Sequence, residues 1–73
     1  MNEEWRQEIL DMVAMNDLGQ GADVHDILVE GFKRRYWEEA IIQALSILSM
    51  SGDLINHGNG RFALAYGRGV ASV

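Results

Sequence analysis

The chain has 73 residues and no cysteine, so it has room for one small domain and excludes disulfide bonds and cysteine-based zinc sites. Hydrophobic residues make up 48% of the chain, which is too many for an intrinsically disordered protein. Eleven acidic residues against six basic ones give a formal charge of −5. Because duplex phosphates repel such a chain unless its cations are gathered on one face, this balance favours protein partners over nucleic acid.

Neither a membrane span nor a signal peptide is expected. No apolar run approaches the ~20 residues that a membrane helix needs. The opening residues MNEEWRQ lack the basic and then apolar form of a secretion signal. We therefore expect a soluble, cytoplasmic protein without a membrane partner.

The first predicted element is a helix from about Asn2 to Met15. Its apolar residues recur on one face of a 3.6-residue period: Trp5, Ile9, Met12 and Val13. Glu3 and Glu4 in its first turn suit the positive end of the helix dipole. The residues NDLGQGAD, 16–23, contain two glycines and predict a loop.

A second, short helix is predicted from about Val24 to Gly31. Asp23 is its predicted N-cap, and Asp26 three residues later suggests a capping box. Its buried edge is predicted at i, i+3, i+4 and i+8, which are Val24, Ile27, Leu28 and Phe32. This helix is predicted to end at Gly31.

The third helix has the strongest periodic pattern and is predicted from near Arg35 to Met50 or Ser51. Its predicted core face consists of Trp37, Ala40, Ile41, Ala44, Leu45 and Leu48. Gly52 is well placed as the left-handed residue that ends the helix, with Leu54 available for the accompanying apolar contact.

A β-hairpin is predicted next, with strands Asp53–Asn56 and Arg61–Tyr66 around the turn HGNG. Phe62, Leu64 and Tyr66 alternate with smaller or polar residues and predict one apolar face. The last seven residues, GRGVASV, have little to bury, so residues 67–73 are predicted to be a flexible tail.

Three helices followed by a hairpin predict an α+β, winged-helix-like domain over residues 1–66. In that fold the third helix often enters the major groove and the hairpin forms the wing. The segment DVHDILVEGF…YWEEAIIQALSILSMSGDLI, within residues 23–65, resembles the small winged helix at the C-terminus of MCM replicative helicases. This pattern is shared by many winged helices, so it predicts the fold rather than the function.

The outer face of the third helix is poorly suited to reading DNA. If the apolar stripe is buried, that face carries Arg35, Glu38, Glu39, Ile42, Gln43, Ser46 and Met50. Base readout normally uses Arg, Lys, Asn or Gln, with further cations on phosphates, whereas Glu38 and Glu39 would meet phosphates near the helix entrance. We therefore do not expect specific duplex binding, although a DNA-binding repressor stays an alternative.

Two stretches are candidate partner-binding sites. The preferred one is an exposed N-terminal edge formed by Met1, Asn2, Glu3, Glu4, Trp5 and Arg6. It combines two carboxylates with a tryptophan, a residue enriched at binding hot spots. Alternatively, Trp5 packs the first helix against the rest of the domain. The second is the basic run Lys33, Arg34 and Arg35, as an RNA contact, a contact to an acidic protein surface, or a solvated turn. Beside it, Tyr36 is either a stacking residue or core.

No catalytic or cofactor motif is visible. His25 and His57 lack metal-ligand spacing, and no nucleophile–base pair or paired carboxylate motif is present. GQG and GNG are turn glycines without the context or the lysine of a phosphate-binding loop. We expect no enzyme activity, no metal and no cofactor.

The whole chain, from MNEEWRQEILDMVAMND to ALAYGRGVASV, resembles in length, acidity and opening residues the small RNA polymerase-binding regulators of lytic phages that infect xanthomonads. The resemblance implies binding to the N-terminal region of the β′ subunit of the host bacterial polymerase, near the RNA exit channel. It also implies inhibition of σ-dependent initiation and readthrough of intrinsic terminators in the host cytoplasm.

We expect the chain to act as a monomer, with nascent RNA nearby. The alternative of a helicase-type interaction module is less favoured, because the chain begins at Met1 with a helix and no linker.

Overall fold

The computed structural model describes residues 1–65, so Tyr66 and the predicted tail, 67–73, lie outside the described residues. The elements in chain order are α1 (Glu3–Met15), β1 (Ala22–Asp23), α2 (Val24–Lys33), α3 (Glu38–Ser51), β2 (Leu54–Asn56) and β3 (Arg61–Leu64). The strands form an antiparallel sheet in the order β1-β3-β2. This confirms the predicted α+β fold of three helices and a hairpin, in the order of a winged helix domain.

Strand β1 was not predicted, because its residues were assigned to a loop. In the sheet Ala22 pairs with Phe62, and Asp23 pairs with Arg61. A two-residue strand cannot show the alternation by which strands are recognised. Its position is set by the preceding turn, where the Asp17 carboxylate accepts hydrogen bonds from the N–H groups of two glycines, Gly19 and Gly21.

The core lies between the three helices and the inner face of the hairpin. Its fully buried residues are Ile9, Met12, Val13, Ala22, Ile27, Ile41, Ala44, Leu45, Leu48 and Leu54. Most of the predicted core of the third helix is confirmed by this set, and Leu28 and Phe62 pack partly buried against it. Trp37 and Phe32, however, were predicted to be buried and are 82% and 80% exposed.

Trp37 is exposed because α3 begins later than predicted. The helix starts at Glu38 rather than near Arg35, and Trp37 is its N-cap with an extended ψ of 143°. The side chain therefore leaves the line of the helical stripe to which the 3.6-residue spacing assigned it. The same spacing remains correct from Ile41 onward, where the backbone is helical.

Phe32 is exposed because Gly31 takes the buried position on α2. The helix does not end at Gly31, as predicted, but continues to Lys33. A Cβ on Gly31 would lie 2.9 Å from Cδ1 of Ile41, so the glycine allows α2 to approach α3 closely. Phe32 follows one residue later, about 100° around the helix, and faces water.

The predicted helix caps are partly confirmed. The Asp23 side chain accepts a hydrogen bond from the N–H of His25 at the start of α2. Asp26 forms no return bond among residues 1–65, so the predicted capping box is wrong. Gly52 has the predicted left-handed conformation with φ of 91°, and the N–H of Asp53 donates to the C=O of Leu48.

A polar contact joins α1 to the start of the hairpin. Arg6 Nη2 lies 2.8 Å from Asp53 Oδ1, and the Ser51 hydroxyl donates to Oδ2 of the same carboxylate. These two hydrogen bonds, that of Arg6 foremost, lower the pKa of Asp53 below its usual 3.8. Stability that depends on the ionised carboxylate is therefore complete above about pH 4 and is lost as pH falls toward the lower native pKa.

We expect Asp53→Asn to melt at a lower temperature than the wild type at pH 6. The difference should shrink between pH 4 and pH 2.5, because protonation then removes the same interaction from the wild type. Thermal melts of both proteins across this range measure it. A difference that stays constant with pH would show that the ion pair does not stabilise the fold.

Candidate functional site

The turn between α2 and α3 is built by a Schellman motif. The N–H of Tyr36 donates to the C=O of Gly31 at 2.9 Å, and the N–H of Arg35 donates to the C=O of Phe32 at 3.0 Å. Arg35 takes the left-handed position of this motif, with φ of 69°. The turn reverses the chain tightly and leaves Trp37 just outside the next helix.

Two exposed aromatic rings line an open cleft of about 590 Å³ at this turn. The cleft is formed by Phe32, Lys33, Arg35, Tyr36, Trp37 and Glu38, which we call the aromatic surface. Solvent-facing phenylalanine and tryptophan beside arginine is a composition typical of binding hot spots. The aromatic surface is therefore the strongest candidate site among the described residues.

The N-terminal turn of α1 adjoins the aromatic surface through Tyr36. The ring centroids of Tyr36 and Trp5 are 4.4 Å apart in an edge-to-face arrangement. The Tyr36 hydroxyl donates a hydrogen bond to the Glu8 carboxylate. This hydrogen bond is the main reason why the pKa of Tyr36 lies above its usual 10.0, and partial burial of the hydroxyl is the second. A smaller cleft of about 300 Å³ is lined by Asn2, Glu4, Trp5, Glu8 and Tyr36. Because Tyr36 lines both clefts, the N-terminal turn of α1 and the turn between α2 and α3 lie side by side.

The predicted N-terminal residues have different roles on this surface. Asn2 caps α1 by accepting a hydrogen bond from the N–H of Trp5. Trp5 is half-buried against Tyr36, so its ring is part structural and part accessible. Met1, Glu3 and Glu4 are exposed.

Arg6 is directed elsewhere. Its guanidinium forms ion pairs with Asp53 and Glu3, so it joins α1 to the hairpin.

The three residues of the basic run also differ in their roles. Arg34 is 27% exposed and forms ion pairs with Glu30 at 3.0 Å and Glu8 at 3.3 Å. Lys33 and Arg35 are exposed and form no ion pair within residues 1–65. Of the three cations predicted to contact a partner, two have no ion-pair partner in the described part of the chain, and Arg34 links α2 to α1.

We expect Arg34→Ala to destabilise the fold by about 1 kcal/mol, because it breaks two partly exposed ion pairs. Arg34→Glu should be worse, since it places a third carboxylate beside Glu8 and Glu30. Urea unfolding of both variants measures the effect. Equal stability of Arg34→Glu and wild type would show that this network contributes nothing.

The outer face of α3 offers little to a DNA duplex. The helix, Glu38–Ser51, contains no lysine or arginine, and Glu38 and Glu39 are exposed in its first turn. Between α3 and the hairpin lies a groove of about 310 Å³ lined by Val24, Ile42, Leu45, Ser46, Ser49, Met50, Asn56 and Phe62. Without a cation α3 cannot neutralise phosphates, and the side chains of a base-reading type here are Gln43 on the helix and Asn56 in the groove.

No group of three or more His, Asp or Glu residues within residues 1–65 is arranged to hold a metal ion. None of the helices described here is long and apolar enough to cross a membrane.

Comparisons with protein-family models, curated proteins and solved structures return no match. The partner therefore has to be inferred from the site and from the sequence resemblance.

The exposure of Phe32 and Trp37 was not predicted from the sequence, although one signal indicated it for Trp37. Adjacent acidic residues are typical of the first turn of a helix. Glu38 and Glu39 therefore favour a helix that begins at Glu38, which leaves Trp37 outside the periodic stripe.

Proposed function

We propose that this chain is a phage-type transcription regulator that binds a bacterial RNA polymerase by protein contacts. The observation that carries the docking function is the pair of exposed rings, Phe32 and Trp37, in one cleft beside two cations that form no ion pair within residues 1–65. Tryptophan and arginine are the residue types most enriched at interface hot spots, because they bury a large area and donate hydrogen bonds. The choice of polymerase comes from the resemblance of the whole sequence to phage regulators.

The charge distribution supports a protein partner rather than duplex DNA. The chain carries a formal charge of −5, and α3 has no cation on any face. Phosphate contacts supply much of the affinity of DNA-binding proteins, so a winged helix without them has its scaffold free for other contacts. The winged-helix-like fold alone does not select a function, and the helicase-type module remains an alternative on that ground.

The N-terminal edge extends the proposed docking surface. Glu3 and Glu4 are exposed next to Trp5, which adjoins the aromatic surface through Tyr36. These carboxylates would face basic residues of the polymerase, and opposite charges increase the association rate. We place the contact on the N-terminal region of β′ near the RNA exit channel. Docking there would inhibit σ-dependent initiation and allow readthrough of intrinsic terminators.

Two binding measurements test this function. Purified core polymerase immobilised on a sensor should bind the protein with micromolar or tighter affinity, and an isolated N-terminal fragment of β′ should compete. In a mobility-shift assay with a pool of random duplexes at ~100 mM salt, no sequence should be selected, whereas specific DNA binders reach about 10⁻⁸ M. A selected operator together with no polymerase binding would overturn the proposal.

A further inference from the structure

Two helices of this chain end in the same backbone motif with different residues at its left-handed position. At the end of α3 the position is Gly52, with φ of 91°, and the N–H of Asp53 closes the turn onto Leu48. At the end of α2 it is Arg35, with φ of 69°, and the N–H of Tyr36 closes onto Gly31. Glycine is the usual residue there, because any Cβ is strained in the left-handed conformation.

No contact of the Arg35 side chain with residues 1–65 offsets this strain. The Arg35 side chain is exposed and forms neither an ion pair nor a side-chain hydrogen bond with any described residue. By contrast the neighbouring Arg34 forms three such contacts, to Glu30, Glu8 and Met15. Strained residues that the fold itself does not need are concentrated at functional sites.

We infer that Arg35 is the charged anchor of the docking site and pairs with a carboxylate on the partner protein, beside apolar pockets that receive Phe32 and Trp37. All three residues line the same cleft. The guanidinium suits this task, because it can bind a carboxylate through two parallel hydrogen bonds. Lys33, also free of ion pairs in the described chain, would add a second positive charge. This inference rests on the proposed protein-docking function and names the chemistry of its partner.

A carboxylate is favoured over the phosphates of RNA by the number and neighbours of the cations. Single-stranded nucleic acid is bound by grooves whose cations follow the backbone over several nucleotides. Here only Lys33 and Arg35 are free of ion pairs among the lysines and arginines of residues 1–65, and the exposed Glu38 and Glu39 follow three and four residues after Arg35. Two cations are too few to bind successive phosphates of a nucleic-acid backbone, but they are enough to pair with one or two carboxylates on the surface of a folded protein.

The test is Arg35→Gly, for which we expect opposite effects on stability and on binding. Glycine removes the backbone strain, so the melting temperature of the free protein should rise by about 4–8 °C. Binding to immobilised core polymerase should weaken at least ~10-fold, because the anchoring charge is lost. Arg35→Ala, which loses the charge but keeps the strain, should melt like the wild type and bind as weakly as Arg35→Gly. Arg35→Lys keeps the positive charge but not the two parallel hydrogen bonds, so its binding should fall between that of the wild type and that of Arg35→Ala.

The other possible outcomes distinguish failure of this inference from failure of the proposed function. If Arg35→Gly is more stable and binds polymerase as tightly as the wild type, the inference is wrong and the proposed function stands. If Arg35→Gly is no more stable, Arg35 is not strained and the inference also fails. If the wild type does not bind polymerase, the proposed function fails, and titration of the ¹⁵N-labelled protein decides the chemistry of the site.

That titration uses two probes, a synthetic peptide alternating glutamate with leucine and phenylalanine, and oligouridylate of about ten nucleotides. Shifts at residues 32–38 with the peptide, absent in Arg35→Gly, would support a carboxylate partner. Shifts with the oligonucleotide instead, or with neither probe, would overturn it.

Discussion

Leu45→Ala is expected to lower the free energy of unfolding by ~2–5 kcal/mol. Leu45 is 1% exposed and lies on the face of α3 that packs in the core with Ile41 and Leu48. Truncation removes apolar burial and leaves a cavity that the packed helices cannot fill. Because a domain of this size has a small margin of stability, the variant should be largely unfolded at 37 °C. Urea unfolding followed by circular dichroism measures the loss.

The matched control is Ile47→Ala, two residues later on the same helix. Ile47 is 43% exposed, so the substitution should change stability by less than ~1 kcal/mol. If Leu45→Ala melts cooperatively at nearly the wild-type temperature, the buried face of α3 has been assigned wrongly.

The second large effect concerns binding rather than stability. The double variant Phe32→Ala, Trp37→Ala should weaken binding to core polymerase by ~100-fold or more, because each ring is expected to fill a pocket at the centre of the interface. The melting temperature should change little, since both rings are at least 80% exposed in the free protein. Sensor binding and a thermal melt on the same preparation separate the two effects.

Met50→Ala is the control for exposed apolar area. Met50 is 80% exposed, as Phe32 is, but it lies near the end of α3 and lines the groove beside the hairpin. We expect it to bind polymerase like the wild type. A loss of binding in Met50→Ala, with none in the double aromatic variant, would move the docking site to the outer face of α3.

Helices were predictable wherever periodicity and cap chemistry agreed. For α1 the apolar spacing and the acidic first turn gave both ends to within one residue. For the end of α3, Gly52 was sufficient, since few residues other than glycine take a left-handed conformation readily. These features depend on neighbours in sequence, which is why they can be inferred without the fold.

The wrong predictions have two causes. Trp37 lies one residue before α3, and periodic spacing does not reveal where helical backbone begins. Phe32 depends on the close approach of Gly31 to Ile41, which is a contact between two helices. Strand β1 exists only because β3 is present to pair with it. Phe32 and β1 are therefore decided by tertiary contacts, whereas the start of α3 was indicated locally by Glu38 and Glu39 but not by the apolar spacing.

The two candidate stretches were predicted separately, and in the structure both adjoin Tyr36. Tyr36 and Glu8 are 28 residues apart in sequence, and their hydrogen bond, together with the packing of Tyr36 on Trp5, brings the stretches together. Composition alone likewise could not predict which residues of the basic run form ion pairs within the protein. Its charges were visible in the sequence, but the assignment of Arg34 to an internal network required the positions of Glu8 and Glu30.

Site-specific photo-crosslinking tests most directly whether the chain docks through the aromatic surface and not through α3. A benzophenone-bearing phenylalanine would replace Phe32 in one protein and Met50 in another, two positions with the same 80% exposure. After irradiation with core polymerase, we predict an adduct to the N-terminal region of β′ from position 32 and none from position 50. An adduct from position 50 alone, or crosslinking to added duplex DNA from either position, would contradict the account.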